Sequence, residues 1–162
     1  AITGKEEYMK KFDDVFYSTT YGGEALSLAS GMAVVDEFLQ KDVVKHCWNV
    51  GQKIKDGMNK IACDVGLSVE WKGLPVRGSI TFSETDDYSK RLLHSVFLQE
   101  CIKQGIMFGP GESLICYSHN DEDVKNTLLS IERSLQTIRD GIKEKNLHKM
   151  LEGNEIKSVM TF

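Results

Sequence analysis

Residues 17–31, Tyr-Ser-Thr-Thr-Tyr-Gly-Gly-Glu-Ala-Leu-Ser-Leu-Ala-Ser-Gly, set two adjacent threonine hydroxyls and two glycines directly ahead of a run of small helix-forming residues. Glycine lets the backbone approach a ligand closely, and the first-turn N–H groups of a helix, at the positive end of its dipole, favour an anion. The chemistry this pattern offers is phosphate binding, with Thr19 and Thr20 supplying hydroxyl donors. The plainer alternative is that Thr19 or Thr20 caps the helix and the glycines turn the chain.

Other residue types point to chemistry less sharply. His119 stands before an acidic helix start, where it is a candidate acid or base or simply a surface residue, and Ser118 or Asn120 is a candidate helix cap. Arg77 follows a turn and is either a carboxylate partner or a surface arginine. Trp48 and Trp71 read as core or interface residues rather than cofactor stackers. The four cysteines, Cys47, Cys63, Cys101 and Cys116, include no Cys-x-x-Cys pair, and the four histidines form no close cluster, so no metal site is expected. Reduced and mostly buried thiols are expected instead.

The elements that must position these groups belong to an ordinary globular composition. The 162 residues are 41% hydrophobic and 27% charged, which suits one domain with a real core. A formal charge of -4, without a basic stripe, argues against nucleic acid as partner. No apolar run is long enough for a membrane span and no secretory pattern opens the chain, so a cytoplasmic protein is expected. The start at Ala1-Ile2-Thr3-Gly4, which reads like the end of a strand entering a turn, suggests a piece of something longer.

Periodicity predicts a short helix over 5–12 with Tyr8, Met9 and Phe12 on one side, then a second helix with a buried stripe at Ala25, Leu28, Ala29, Met32 and Ala33. Val43, Cys47, Val50, Ile54, Ile61 and Val65 mark a long helix ended by Gly66, although Gly51 and Gly57 weaken its continuity. Alternation at Leu67, Val69 and Trp71, a turn at 72–75 and a run over 76–83 predict two strands. A helix opened by Asp86 and Asp87 carries Leu92, Leu93, Val96, Phe97 and Ile102. Short strands are expected at 106–108 and 114–117, flanking an irregular Gly-Pro-Gly loop. A last long helix displays Val124, Leu128, Ile131, Leu135, Ile138 and Ile142 as one seam. The remainder, 146–162, is polar and then weakly strand-like at 158–162, with no evident packing partner. Long helices over one face of a small, mainly antiparallel sheet make an α+β fold.

Residues 19–29, Thr-Thr-Tyr-Gly-Gly-Glu-Ala-Leu-Ser-Leu-Ala, closely resemble the class III pyridoxal-phosphate (PLP) aminotransferases, and the nearest branch is similar to glutamate-1-semialdehyde aminomutase. The family pattern is Thr-aromatic-Gly-Gly-(Asn or Glu), opening a small-residue helix. Its threonine, which binds the cofactor phosphate of the other subunit, corresponds to Thr20, with Thr19 in the neighbouring position. Residues 1–9 resemble the turn and helix after the family's cofactor lysine, and 106–108 and 115–124 resemble its closing strand and last helix start. Residues 151–153 also resemble the tail of such members.

The resemblance implies the C-terminal small domain of a fold-type-I PLP transferase, divided as 1–40 (end of the large PLP-binding domain and linking helix), 41–145 (small α+β domain) and 146–162 (tail). It implies PLP as cofactor of the complete enzyme, a homodimer, and amino-group transfer on a small amino or oxo acid or aldehyde. No catalytic residue is expected within this chain, because the family's Schiff-base lysine and its ring-pairing aspartate match nothing here. Gly109 to Ser118 also lacks the arginine that the ornithine-type branches place there. A non-catalytic α+β binding or dimerisation module that kept the fold and lost the chemistry stays open as the alternative.

Overall fold

The computed structural model describes residues 2–157, and the chain divides into two compact units, one up to Asp42 and one from Val43. In the first unit, helix α1 (Glu6–Met9) runs into a single 3-10 segment (Lys10–Asp14), and after an extended stretch comes helix α2 (Ala25–Gln40). This unit encloses almost nothing. Of its described residues only Met9 is even partly buried, and the stripe expected to be buried on α2 lies in the open. The spacing was helical, as predicted, but helical spacing does not supply a partner, and within this unit nothing packs over the stripe.

The second unit is organised by helix α3 (Val43–Val65), which buries Val43, Val50, Ile54, Met58 and Ala62 along one face. Both internal glycines are contact points rather than breaks. A Cβ at Gly51 would collide with the Pro75 carbonyl, and one at Gly57 would stand 2.6 Å from the Leu128 side chain. The helix ends as expected at Gly66, whose φ of 76° suits glycine. There the Leu67 amide reaches back to the Ala62 carbonyl at 3.0 Å, the six-to-one bond of a Schellman cap.

Strands β1 (Val69–Leu74) and β2 (Arg77–Phe82) form an antiparallel hairpin with Trp71 opposite Ile80, closed by Pro75 and Val76. The turn therefore sits slightly later than the 72–75 predicted. Helix α4 (Lys90–Lys103) packs on β2, α3 on β1, and α5 (Asp121–Lys143) against both helices. Phe97, Met58, Leu92, Ile131, Leu135 and Ile138 are sealed at the centre. This is the expected α+β layer of long helices on a small antiparallel sheet.

Several local expectations are corrected. Helix α4 does not begin at Asp86: the Tyr88 amide donates to Thr85 Oγ1 at 3.0 Å in a tight turn that buries Tyr88, and Ser89 caps the helix by accepting from the Leu92 amide. Residues 106–108 form no strand, because the Ile106 amide is held by the Cys101 carbonyl at the end of α4. Of the expected strand 114–117 only Leu114 is strand, in β3 (Ser113–Leu114), which pairs with Arg77 and Gly78 of β2, and the Ile115 amide adds one bond to the Val76 carbonyl at 3.1 Å. The thiols are not mostly buried, since only Cys101 is enclosed while Cys63 and Cys116 are exposed.

The polar stretch after α5 packs where no partner was evident. Helix α6 (Leu147–Met150) seals Leu147 into the core, Gln99 Nε2 donates to the Met150 carbonyl at 2.8 Å, and the Ile156 amide donates to Ser95 Oγ at 2.9 Å. The weak strand expected at 158–162 lies outside the described residues.

Candidate functional site

The Thr-Thr-Tyr-Gly-Gly segment forms two linked turns. The Gly22 amide donates to the Thr19 carbonyl at 3.1 Å and the Glu24 amide to the Tyr21 carbonyl at 3.2 Å. At Gly22 a Cβ would stand 2.7 Å from Thr19 Oγ1, so a larger residue there would turn that hydroxyl away. Upstream, Tyr17 meets Phe12 edge to face with ring centroids 5.6 Å apart, which tethers the approach to the turn.

Neither threonine caps α2. That position belongs to Glu24, whose carboxylate accepts from the Leu26 amide at 2.8 Å, from the Ser27 amide at 2.6 Å and from the Ser27 hydroxyl at 2.7 Å. The Ser27 hydroxyl first, and the Leu26 and Ser27 amides after it, hold the Glu24 carboxyl below its ordinary range. The helix dipole is thus already answered by an anion of the chain itself. Sequence reasoning passed over Glu24 because glutamate is outside the usual set of capping residues; the signal was Ser27 three positions on, able to bond the same carboxylate.

This bears directly on whether a phosphate fits. The α2 first turn offers it little, since two of its amides are engaged by Glu24. The turn ahead offers more, because the Thr20 hydroxyl and the Thr20, Tyr21 and Gly23 amides make no hydrogen bond to any described residue. The two threonines are not gathered into one site: Thr19 borders an open recess of about 550 Å³ together with Tyr17, Ser18 and Gly22, whereas Thr20 stands exposed outside that lining. No lysine or arginine lines the recess. These residues fit one edge of a phosphate site, hydroxyl and amide donors without a cation.

The second unit holds a larger open cleft of about 790 Å³, walled by Trp71, Ile106, Phe108 and Val124, with His119 and Arg133 among its polar lining. His119 has a structural task here. Its Nδ1 accepts from the Cys116 amide at 3.2 Å and its carbonyl receives His46 Nε2 at 2.8 Å. Asn120 is the cap of α5 in a reciprocal capping box with Asp123, and Ser118 is not. Arg77 is committed to Glu112 through Nε and Nη2, both at 2.7 Å, in an exposed ion pair. Trp71 is core, its Nε1 donating to the Leu74 carbonyl at 3.0 Å, while Trp48 is partly exposed. No group of three or more His, Cys, Asp or Glu side chains among the described residues is arranged to hold a metal ion, and no helix among them is long and apolar enough to cross a membrane.

No family model matches the chain. Curated relatives do. The 3-aminobutyryl-CoA aminotransferase of Cloacimonas acidaminovorans (strain Evry) is 28% identical over 142 residues, covering 86% of this chain and 34% of that protein. The glutamate-1-semialdehyde 2,1-aminomutase of Alkaliphilus oremlandii (strain OhILAs) is 27% identical over 155 residues, covering 86% of this chain and 35% of the relative. The chain therefore spans about a third of the length of the curated relatives it matches, in their C-terminal part. Among solved structures, the PLP internal aldimine form of the Sphingopyxis sp. MTA144 FumI protein superposes with a TM-score of 0.78 at 17% identity, over 91% of this chain and 35% of that one. A transaminase with PLP bound gives 0.75 at 19% identity, over 85% and 34%. These likenesses establish the fold.

Proposed function

For a chain related to the C-terminal third of aminotransferases and glutamate-1-semialdehyde aminomutases, and folded like the matching part of PLP transaminases, we propose the role of the C-terminal portion of a PLP-dependent aminotransferase or aminomutase. In this reading residues 1–40 complete the large domain and its linking helix, and the rest forms the small domain. The complete enzyme is a cytoplasmic homodimer acting on a small amino or oxo acid or aldehyde. This chain by itself is inactive, because the residues that bond the cofactor covalently lie elsewhere in the polypeptide. When bound, PLP supplies the electron sink for moving an amino group.

The part played by this chain is orientation. Thr20 donates its hydroxyl, and the turn its unpaired amides, to the phosphate of a cofactor seated mainly in the other subunit, which makes cofactor binding depend on the dimer. The observation that carries this reading is the pairing of an exposed, unpartnered Thr20 hydroxyl with the glycine turn that presents it. Glu24 keeps the helix behind the turn formed without drawing on either threonine. The apolar side chains left open on the first unit, Tyr17, Tyr21, Leu26 and Leu39 among them, supply surface for the rest of the enzyme to cover.

The test is to express the chain with its upstream coding sequence and titrate it with PLP, following cofactor absorbance. Thr20→Ala is expected to weaken binding roughly tenfold or more, the loss of one hydrogen bond to a charged acceptor, about 1.5–3 kcal/mol. An upstream sequence with no cofactor uptake, or a Thr20→Ala protein that binds PLP as tightly as its parent, would sink the assignment.

A further inference from the structure

Two residues lining the cleft of the second unit, Gln104 and Ser130, carry buried polar atoms that nothing among the described residues satisfies. Gln104 follows α4 directly, and its side-chain amide has a fixed orientation: Nε2 donates to the Glu100 carbonyl at 3.0 Å and to Ser134 Oγ at 3.1 Å. Turned the other way, the amide would set its own oxygen against that carbonyl. Oε1 is therefore the acceptor left over, enclosed and without a partner. Ser130 on α5 is 2% exposed, and its hydroxyl finds no nitrogen or oxygen partner either. Buried polar groups are as a rule paired, so an acceptor and a hydroxyl left open on one cleft point to a group that comes from outside the chain.

A cation stands beside them. Arg133 lies three positions after Ser130 on the same face of α5 and lines the same cleft. Unlike Arg77, which Glu112 holds, its guanidinium makes no ion pair or hydrogen bond with any described residue. The two carboxylates of the lining are already engaged. Glu112 pairs with Arg77, and Asp123 accepts from the Asn120 amide at 2.9 Å, ten residues before Arg133 and roughly 15 Å from it along the helix axis. The remaining wall is apolar, with Trp71, Ile106 and Phe108.

We propose that this cleft of about 790 Å³ binds a 2-hydroxy carboxylate with an apolar or aromatic side chain. The carboxylate pairs with the Arg133 guanidinium, whose planar fork suits two oxygens. The 2-hydroxyl donates to Gln104 Oε1 and accepts from the Ser130 hydroxyl, which satisfies both buried atoms at once. A neutral hydroxyl suits this place better than an ammonium group, which the Arg133 charge would repel. The side chain lies along Trp71, Ile106 and Phe108.

The experiment is an NMR titration of the nitrogen-15-labelled chain, without PLP, so that its outcome is independent of the cofactor reading. The probes are 3-phenyllactate, 3-phenylpropionate, which lacks the hydroxyl, and methyl 3-phenyllactate, which lacks the charge. Phenyllactate is expected to shift the Gln104 side-chain amide and the Ile106 and Ser130 backbone amides saturably, with each of the other two binding roughly tenfold more weakly. Arg133→Gln, at an exposed position, is expected to erase the preference for acid over ester and keep that for the hydroxyl, and Gln104→Met the reverse. No saturable shift at about 10 mM phenyllactate would mean that water alone satisfies the two atoms and would overturn the proposal. Equal affinity for the three probes, or an Arg133→Gln chain that still prefers the acid, would overturn it as well.

Discussion

Leu135 on α5 and Leu39 on α2 are the same residue on helices of good length, yet Leu135 is fully enclosed and Leu39 is 80% exposed. The two helices differ in what surrounds them. Helix α5 is covered by α3, α4 and α6, while α2 in its own unit touches no layer that would bury a face. The second unit therefore owns its stability, and the first owns a shape, a capped helix behind a glycine turn, whose apolar side chains wait for cover. Such a division fits the proposed role, in which residues 1–40 complete a larger domain and the remainder forms a domain of its own.

The comparison breaks most visibly under truncation. Leu135→Ala removes a sealed side chain and is expected to lower the unfolding free energy by about 2–5 kcal/mol, whereas Leu39→Ala is expected to change it by no more than about 0.5 kcal/mol. Urea unfolding followed by circular dichroism measures both. Equal losses at the two sites would mean that α2 is packed after all.

Glycines sharpen the contrast by reversing its sign. In α3, Gly57→Ala drives a methyl into Leu128, 2.6 Å from the built Cβ, and is expected to cost about 1–3 kcal/mol. In α2, Gly31 has nothing within 4 Å of that position, so Gly31→Ala is expected to raise helix content by the propensity difference alone, about 0.5–1 kcal/mol. Thermal unfolding of the first variant and far-ultraviolet circular dichroism of the second read the two effects.

What the sequence disclosed follows the same division. The α3 and α5 seams, the Gly66 cap and the hairpin were legible because amphipathic period, turn chemistry and tertiary cover agree in the second unit. Period alone could not say that the α2 stripe is uncovered, since Leu28 and Met32 have the spacing of a core face with no core beside them. Pairing was the other limit. Residues 106–108 have strand composition, but the end of α4 claims their first amide. At the candidate site the Thr-Thr-Tyr-Gly-Gly turn was legible as a phosphate-type loop, yet the owner of the helix cap was not, because only the fold shows Glu24 curling onto Leu26 and Ser27.

That cap yields the smallest effect and the most local one. The Glu24 carboxyl is held below its ordinary range in the folded chain, so its contribution to α2 is fully present above the pH at which an unfolded glutamate titrates, and is lost as pH falls through the lower, folded value. An NMR titration should show the Leu26 and Ser27 amides moving with the Glu24 carboxyl at a midpoint below that of an ordinary glutamate. Glu24→Gln should abolish the movement. In α5 the side chain bonding the Glu122 and Asp123 amides is the Asn120 carboxamide, which carries no proton to lose, and packing on α3 and α4 holds the helix besides. The resembled family pattern carries Asn or Glu where Glu24 stands, and both side chains present an oxygen acceptor to the first turn. In the proposed reading the position serves the helix, and the phosphate falls to the threonine and the turn. Leu26 and Ser27 amides indifferent to pH would show that Glu24 is not their partner in solution and would return the first turn of α2 to the anion.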